Sequence, residues 1–189
     1  MEPFTCEVEF RTGVLRPRYQ ILQRTLREIG SIFANQQAVR EILSAEGDRL
    51  IYEVYVAAVP EDEGHLPYST TIIYPGQVGD EYHITKGHYH RKRDRAEVYL
   101  GLSGHGCLLL QNEQGEVRMV EMKAGIVAYV PPGWAHRTAN TGDVPFVFFA
   151  VYPGDAGHDY ETIEATGFAK ILVALDGQPV LIDNPRWRR

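Results

Sequence analysis

Cysteine is nearly absent from this chain: Cys6 and Cys107 stand far apart, without the close spacing of a metal-binding pair. That argues against a disulfide-dense scaffold or a cysteine-type zinc site, and reduced thiols are expected. Long apolar runs are missing too. Nothing approaches the roughly 18 consecutive apolar residues of a spanning helix, and EPFTCEVEFRTG after Met1 is polar and alternating, so no membrane span or secretory leader is expected. Positive charge is in deficit, with 19 Lys and Arg against 25 Asp and Glu and a net charge of −6, which argues against a nucleic-acid surface. Lysine is the scarcest base, confined to Lys86, Lys92, Lys123 and Lys170, a bias that carries no functional information. Internal repeats, heptads and low-complexity tracts are also lacking. What remains is 189 residues, 44% hydrophobic and 23% charged, enough for one domain with its own core.

The chain divides by pattern into an N-terminal extension (1–49), a β-rich core (50–153) and C-terminal strands (154–189). In the extension, Thr5 to Phe10 alternates like a strand, and Leu22, Leu26, Ile29, Ala38 and Ile42 recur at helical spacing between Ile21 and Leu43. From Leu50 to Tyr152, short runs such as STTIIY, EVYLGL, GCLLLQ and VPFVFFAVY are rich in β-branched and aromatic residues. Turn signals such as PGQVGD, GHG, NEQGE, PPG and NTGD separate them. Regular short strands of this kind predict an all-β antiparallel sandwich or barrel. FAKILVAL and PVLID, joined by DGQ, predict a closing strand pair.

Four residues in the middle of the chain could form one metal site. His88 and His90 are one pleat apart, so on a strand both imidazoles point the same way. Glu97 and His136 would complete a three-nitrogen, one-oxygen set with positions left for substrate. Such a set suits Fe, Mn, Zn or Ni without choosing among them. An isolated H-x-H is more often two solvated histidines, so the surrounding motif decides.

Gly125-IVAYV-Pro131-Pro132-Gly133-Trp134-Ala135-His136-Arg137-Thr138-Ala139-Asn140 fits G-x5-P-x-G-x2-H-x3-N at every fixed position, the second motif of the cupins. His88, His90, Glu97 and Gly104 fit the first cupin motif with two departures. Tyr82 replaces its first glycine, and six residues (RKRDRA) rather than three or four separate His90 from Glu97. A turn or bulge must therefore re-aim Glu97 toward the histidines. The strings TKGHYH, RAEVY, PPGWAHRT and DAGHDY, longer spacing included, resemble the cupin-type glucose-6-phosphate isomerases of archaea and some bacteria. The likeness covers residues 50–189 and extends to the N-terminal segment.

This resemblance implies a cupin double-stranded β-helix with a strand-and-helix extension. It implies one divalent ion per subunit (Fe2+ first, with Mn2+, Ni2+ or Zn2+ as alternatives) held by His88, His90, Glu97 and His136. It also implies interconversion of glucose 6-phosphate and fructose 6-phosphate in glycolysis and gluconeogenesis, by a cytoplasmic homodimer. Glu97 is the implied base for an enediol route, although a carboxylate bound to a cation loses basicity, and a hydride route stays open. The neutral donors Thr71, Thr85 and the Gly87 N–H are candidates for the phosphate, and the resemblance adds Tyr52, Tyr152 and Tyr160. Tyr99 shares a strand face with Glu97 and is expected in the pocket. His158 is a candidate for proton transfer during ring opening. The direction of Lys86 is left open by strand alternation. Competing readings are a cupin dioxygenase, a phosphomannose isomerase and a non-catalytic sugar-phosphate-binding cupin.

Overall fold

The computed structural model describes residues 1–188. Two antiparallel sheets face each other. The larger runs in the order Val127–Val130, Glu97–Ser103, Phe146–Val151, Tyr68–Ile73, Leu50–Val56, Gln20–Thr25. The smaller places His105–Gln111 between Val117–Lys123 and Ala135–Asn140. Antiparallel bridges Ile84–Ala139 and His88–His136 then lay the segment carrying the first histidines alongside Ala135–Asn140. This is the double-stranded β-helix expected from the motifs. No helix among the described residues is long and apolar enough to cross a membrane.

Burial follows the pleat. In Glu97–Ser103, Glu97, Tyr99 and Gly101 are buried and alternate with partly exposed neighbours, so one face looks inward. Ala135–Asn140 is buried at all six positions, because it has protein on both sides. Its odd-numbered side chains meet an outer layer in which the Arg137 guanidinium lies over the Phe168 ring at 4.5 Å. Between the sheets, Phe146, Leu108, Ile73 and Met122 are fully buried, and Leu109, paired with Arg137, is fully buried on the outer face. Each such side chain removed from water contributes roughly 1.5–3 kcal/mol.

The outer layer includes the hairpin of Lys170–Leu175 and Gln178–Asp183. Asp176 (φ 51°) and Gly177 (φ 74°) turn it, the two left-handed positions that a two-residue hairpin of this twist demands. The helix Gln36–Ala45 starts at Asn35, whose side chain accepts from the Ala38 N–H at 3.0 Å. Buried Glu81 fixes that start to the barrel by accepting the N–H groups of Ala34 (2.7 Å) and Asn35 (3.0 Å). Both cysteines are free thiols.

Two elements differ from the pattern-based reading. Gln20–Thr25 is a strand pairing with Leu50–Val56 rather than the start of a helix, and Leu26–Ile29 is a single short helical turn. Pairing with a formed sheet outweighs helical spacing over so short a run. The C-terminal region, expected as strands, also holds a helix, Tyr160–Thr166, capped by Asp159. With seven residues and one buried position, Ile163, it carries too little periodicity to be read.

Candidate metal centre and active site

Ligand atoms of His88, His90, Glu97 and His136 all lie within 4.8 Å of one another. The bridge of His88 to His136 aligns two neighbouring strands, and alternation carries His90 to the same side. The extra six residues after His90 form a turn, from which Glu97 enters its strand facing inward. Glu97 Oε2 lies 2.9 Å from His136 Nε2 and 3.1 Å from His90 Nε2.

The tautomers can be assigned from the carbonyls. His90 Nδ1 meets the Arg95 carbonyl at 2.9 Å, and His136 Nδ1 meets the Trp134 carbonyl at 3.2 Å. A carbonyl only accepts, so each Nδ1 carries hydrogen; a protonated His90 Nε2 donates to Glu97 Oε2, and in the neutral ring that a cation would require each Nε2 turns its lone pair toward the cluster. The Nε2 atoms of His88 and His136 are buried without a hydrogen-bonding partner. His136 Nε2 is near the carboxylate yet misaligned with it, as expected of two donors aimed at a common point. Orphaned lone pairs beside a buried carboxylate fit a divalent cation, and the all-N/O donor set selects no single first-row metal.

The electrostatics agree. Burial would raise the carboxyl of Glu97, but His136 and His90 outweigh it and bring its pKa down to about 2. Burial, and then the neighbouring His136, His158 and His90, push His88 well below its ordinary value. Burial depresses His90, yet the hydrogen bond and charge of Glu97 leave it raised. The anionic Glu97 and the low-pKa His88 are already in the form that accepts a metal ion, and a cation would displace the proton that Glu97 favours on His90.

Three of the four, His88, Glu97 and His136, line a cavity of about 360 Å³ between the sheets. Tyr52, Thr71, Thr85, Gly87, Tyr99, Tyr152, His158 and Tyr160 all line it. His158 pairs with His90 across a two-residue ladder, stacks on Tyr160 at 5.7 Å and lies 4.5 Å from the His88 ring. Burial lowers its pKa despite the opposing Glu97 and Glu61 charges. Tyr99 stacks on Phe148 at 5.0 Å, and burial followed by the Glu97 charge pushes its phenol well above its ordinary value. The Thr85 hydroxyl accepts the Thr138 N–H at 2.9 Å, which leaves its proton free to donate. Gly87 is needed for a different reason from close ligand approach. At φ 79°, an added Cβ would meet Arg137 Cβ at 2.9 Å and Phe168 Cε2 at 3.1 Å, on the outer side.

Several lining residues escaped the sequence reading. Gln20, Leu22 and Arg24 form a wall from the edge strand, and Glu61 and Ser69 complete the rim. Arg24 and Lys86 are the two cations of this lining. Lys86, whose direction was open, lies over Tyr160 at 4.7 Å and pairs with Glu164. The alternation of residues 20, 22 and 24 is the one signal that could have exposed this wall.

Comparison with known proteins follows the geometry. The family model described as glucose-6-phosphate isomerase (GPI) matches residues 23–187. The glucose-6-phosphate isomerase of Thermococcus litoralis is 50% identical over 187 residues, covering 99% of this chain and 97% of the relative. That of Pyrococcus horikoshii is 49% identical over 187 residues, covering 99% and 98%. A bacterial relative of the same name from Sinorhizobium medicae is 38% identical over 190 residues, covering 100% and 89%. With a family match over most of its length and relatives aligned end to end, the chain belongs to the glucose-6-phosphate isomerase family.

Proposed function

We propose that this protein interconverts glucose 6-phosphate and fructose 6-phosphate, with one divalent ion held by His88, His90, Glu97 and His136. The observation that carries the proposal is the convergence of these four ligand atoms within 4.8 Å at the floor of a cavity ringed by hydroxyl groups. Bound there, the ion would act as a Lewis acid that stabilises negative charge developing on the sugar oxygens. Fe2+ is the first choice, with Mn2+, Ni2+ or Zn2+ as alternatives.

The remaining work falls to the chain itself. Tyr52, Thr71, Thr85, Tyr152, Tyr160 and the Gly87 N–H supply neutral donors for the phosphate, and Arg24 adds charge from the edge strand. Tyr99 orients sugar hydroxyls beside Glu97. His158 exchanges a proton with the ring oxygen and anomeric hydroxyl as the sugar opens. Glu97 takes the C2 proton of the open-chain aldose and returns it to C1, the enediol route. Held by its histidine neighbours and by a cation it is a weak base, so it takes the proton only as that hold loosens when the sugar binds. We further propose a cytoplasmic homodimer working in glycolysis and gluconeogenesis.

The test couples fructose 6-phosphate to a glucose-6-phosphate dehydrogenase assay before and after chelation, then with each divalent ion restored. Activity should vanish on chelation and return with metal. Full activity in metal-free protein rejects the metal role, and inactivity with every ion rejects the isomerase reading.

A further inference from the structure

Alternation along Ala135–Asn140 sends His136 into the metal cluster and Arg137, its neighbour, to the opposite face. There Arg137 borders a second cavity of about 590 Å³, separate from the first except for Lys86, which lines both. Arg137 is only 4% exposed. Its Nε is buried without a hydrogen-bond partner, and its ion pairs and hydrogen bonds are absent among the described residues. The charge of Glu81 reaches Arg137, but its Oε1 is committed to the Ala34 and Asn35 N–H groups.

The walls of this cavity are built, not loose. Asn184 Nδ2 donates to the Phe168 carbonyl at 2.7 Å, and the Arg188 N–H donates to Thr166 O at 2.9 Å. Arg186 Nη1 donates to Phe33 O at 2.6 Å, and the Trp187 ring lies against Gly115. Among the described residues, the charged groups facing the space are Lys86, Arg137, Arg186 and Arg188 against one acid, Glu164, which Lys86 already pairs. With only the Phe168 ring against its face and no acceptor among the described residues, this buried guanidinium is left costly, and a bound anion would relieve it.

We propose that this cavity is a second ligand site, distinct from the metal-centred one, that takes a phosphate-class dianion on Arg137 with Arg186 and Arg188 around it. The planar fork of arginine matches a tetrahedral oxyanion through two parallel donors. Inorganic phosphate and the phosphate group of a small ester present the same chemistry. Lys86 makes the site audible at the first cavity, because an anion here competes with Glu164 for its ammonium group.

The test is equilibrium dialysis of radiolabelled inorganic phosphate against the full-length metal-loaded protein and two variants. R137M removes the fork, and A165E, at an exposed helical position on the cavity lining, sets a carboxylate beside it. Both variants should bind one phosphate fewer per chain than wild type, and a conservative control, R137K, should retain the site at tenfold or more weaker affinity. Crystals grown with selenate should give an anomalous peak at the Arg137 guanidinium. Equal stoichiometry in all three proteins, a loss confined to R137M, or no selenate at Arg137 would overturn the proposal. The variants leave the metal cavity's own lining in place, so the difference survives even if that cavity binds no phosphate.

Discussion

Arg95 is clamped to Asp155 by two side-chain hydrogen bonds, Nε to Oδ1 at 3.0 Å and Nη2 to Oδ2 at 2.7 Å, while its own carbonyl accepts from His90. Lys92 adds a third donor to Asp155 at 2.7 Å. The turn that spaces His90 from Glu97 is thus fastened to the segment that leads into His158. Arg93 repeats the tie, pairing with Asp159 at 2.6 Å and covering Tyr89 at 4.4 Å.

Asp155→Asn should release the Arg95 carbonyl and blur the aim of His90. Loss of an outer partner of a metal ligand typically costs 10–100-fold in metal affinity. A competitive chelator titration should find affinity for Mn2+ weaker by about tenfold, with the melting temperature little changed, because the pair is partly solvated. Unchanged affinity would reduce the clamp to a surface ion pair.

Thr85→Val deletes a hydroxyl with one task in the fold and one proposed toward substrate. It orphans the buried Thr138 N–H, costing about 1–3 kcal/mol in stability, and on the proposed phosphate role raises KM by about 3–10-fold. Thr85→Ser keeps the oxygen and should restore both. A variant whose melting temperature falls while KM stays fixed would remove Thr85 from substrate binding.

Turnover in deuterated water separates the two hydrogen routes. If Glu97 takes the C2 proton, product isolated early should carry solvent deuterium at the receiving carbon, read by NMR. Glu97→Gln should lower kcat by roughly 10²–10⁴ on the same argument. Complete retention of the substrate hydrogen would assign the transfer to a direct shift between carbons.

His83 supplies a pH signature away from the metal centre. It is buried with Nδ1 at 3.0 Å from the Tyr74 carbonyl, and burial outweighs that hydrogen bond to bring its pKa down to about 4. The folded state stays neutral while the unfolded chain protonates near pH 6.5. Stability from this group is therefore complete above about 6.5, drains away as pH falls toward 4, and levels off below. The shift corresponds to about 3 kcal/mol. Denaturant titrations at pH 7.5 and pH 5, which span only part of that interval, should show a loss smaller by about 2 kcal/mol in His83→Gln, and an identical loss would reject the assignment.

The convergence of the four candidate ligands was legible in large part because its spacing rules are local. His88 and His90 share a pleat, and the Pro132-Gly133 turn delivers His136 to the start of a strand, with Gly133 at φ 80°. The motif's last residue, Asn140, is a structural lock: its amide donates to Ile73 O and Val144 O, both at 2.8 Å. Arg24 was invisible, since its strand forms only by pairing with residues some thirty positions later. Leu22, Leu26 and Ile29 suggest a helix until that partner exists. The pocket of Arg137 was equally hidden, because its walls come from the far C-terminus and a helix too short to announce itself.

The strand Gln20–Thr25 hangs on the sheet by one ladder only, yet it supplies the cavity's outer wall through Gln20, Leu22 and Arg24. Substitutions along that border can reshape who is admitted without touching the interior where bonds are rearranged. Selectivity and chemistry are thereby housed in separately mutable parts of one small scaffold, which makes this margin the natural starting point for redirecting the protein to other sugar phosphates.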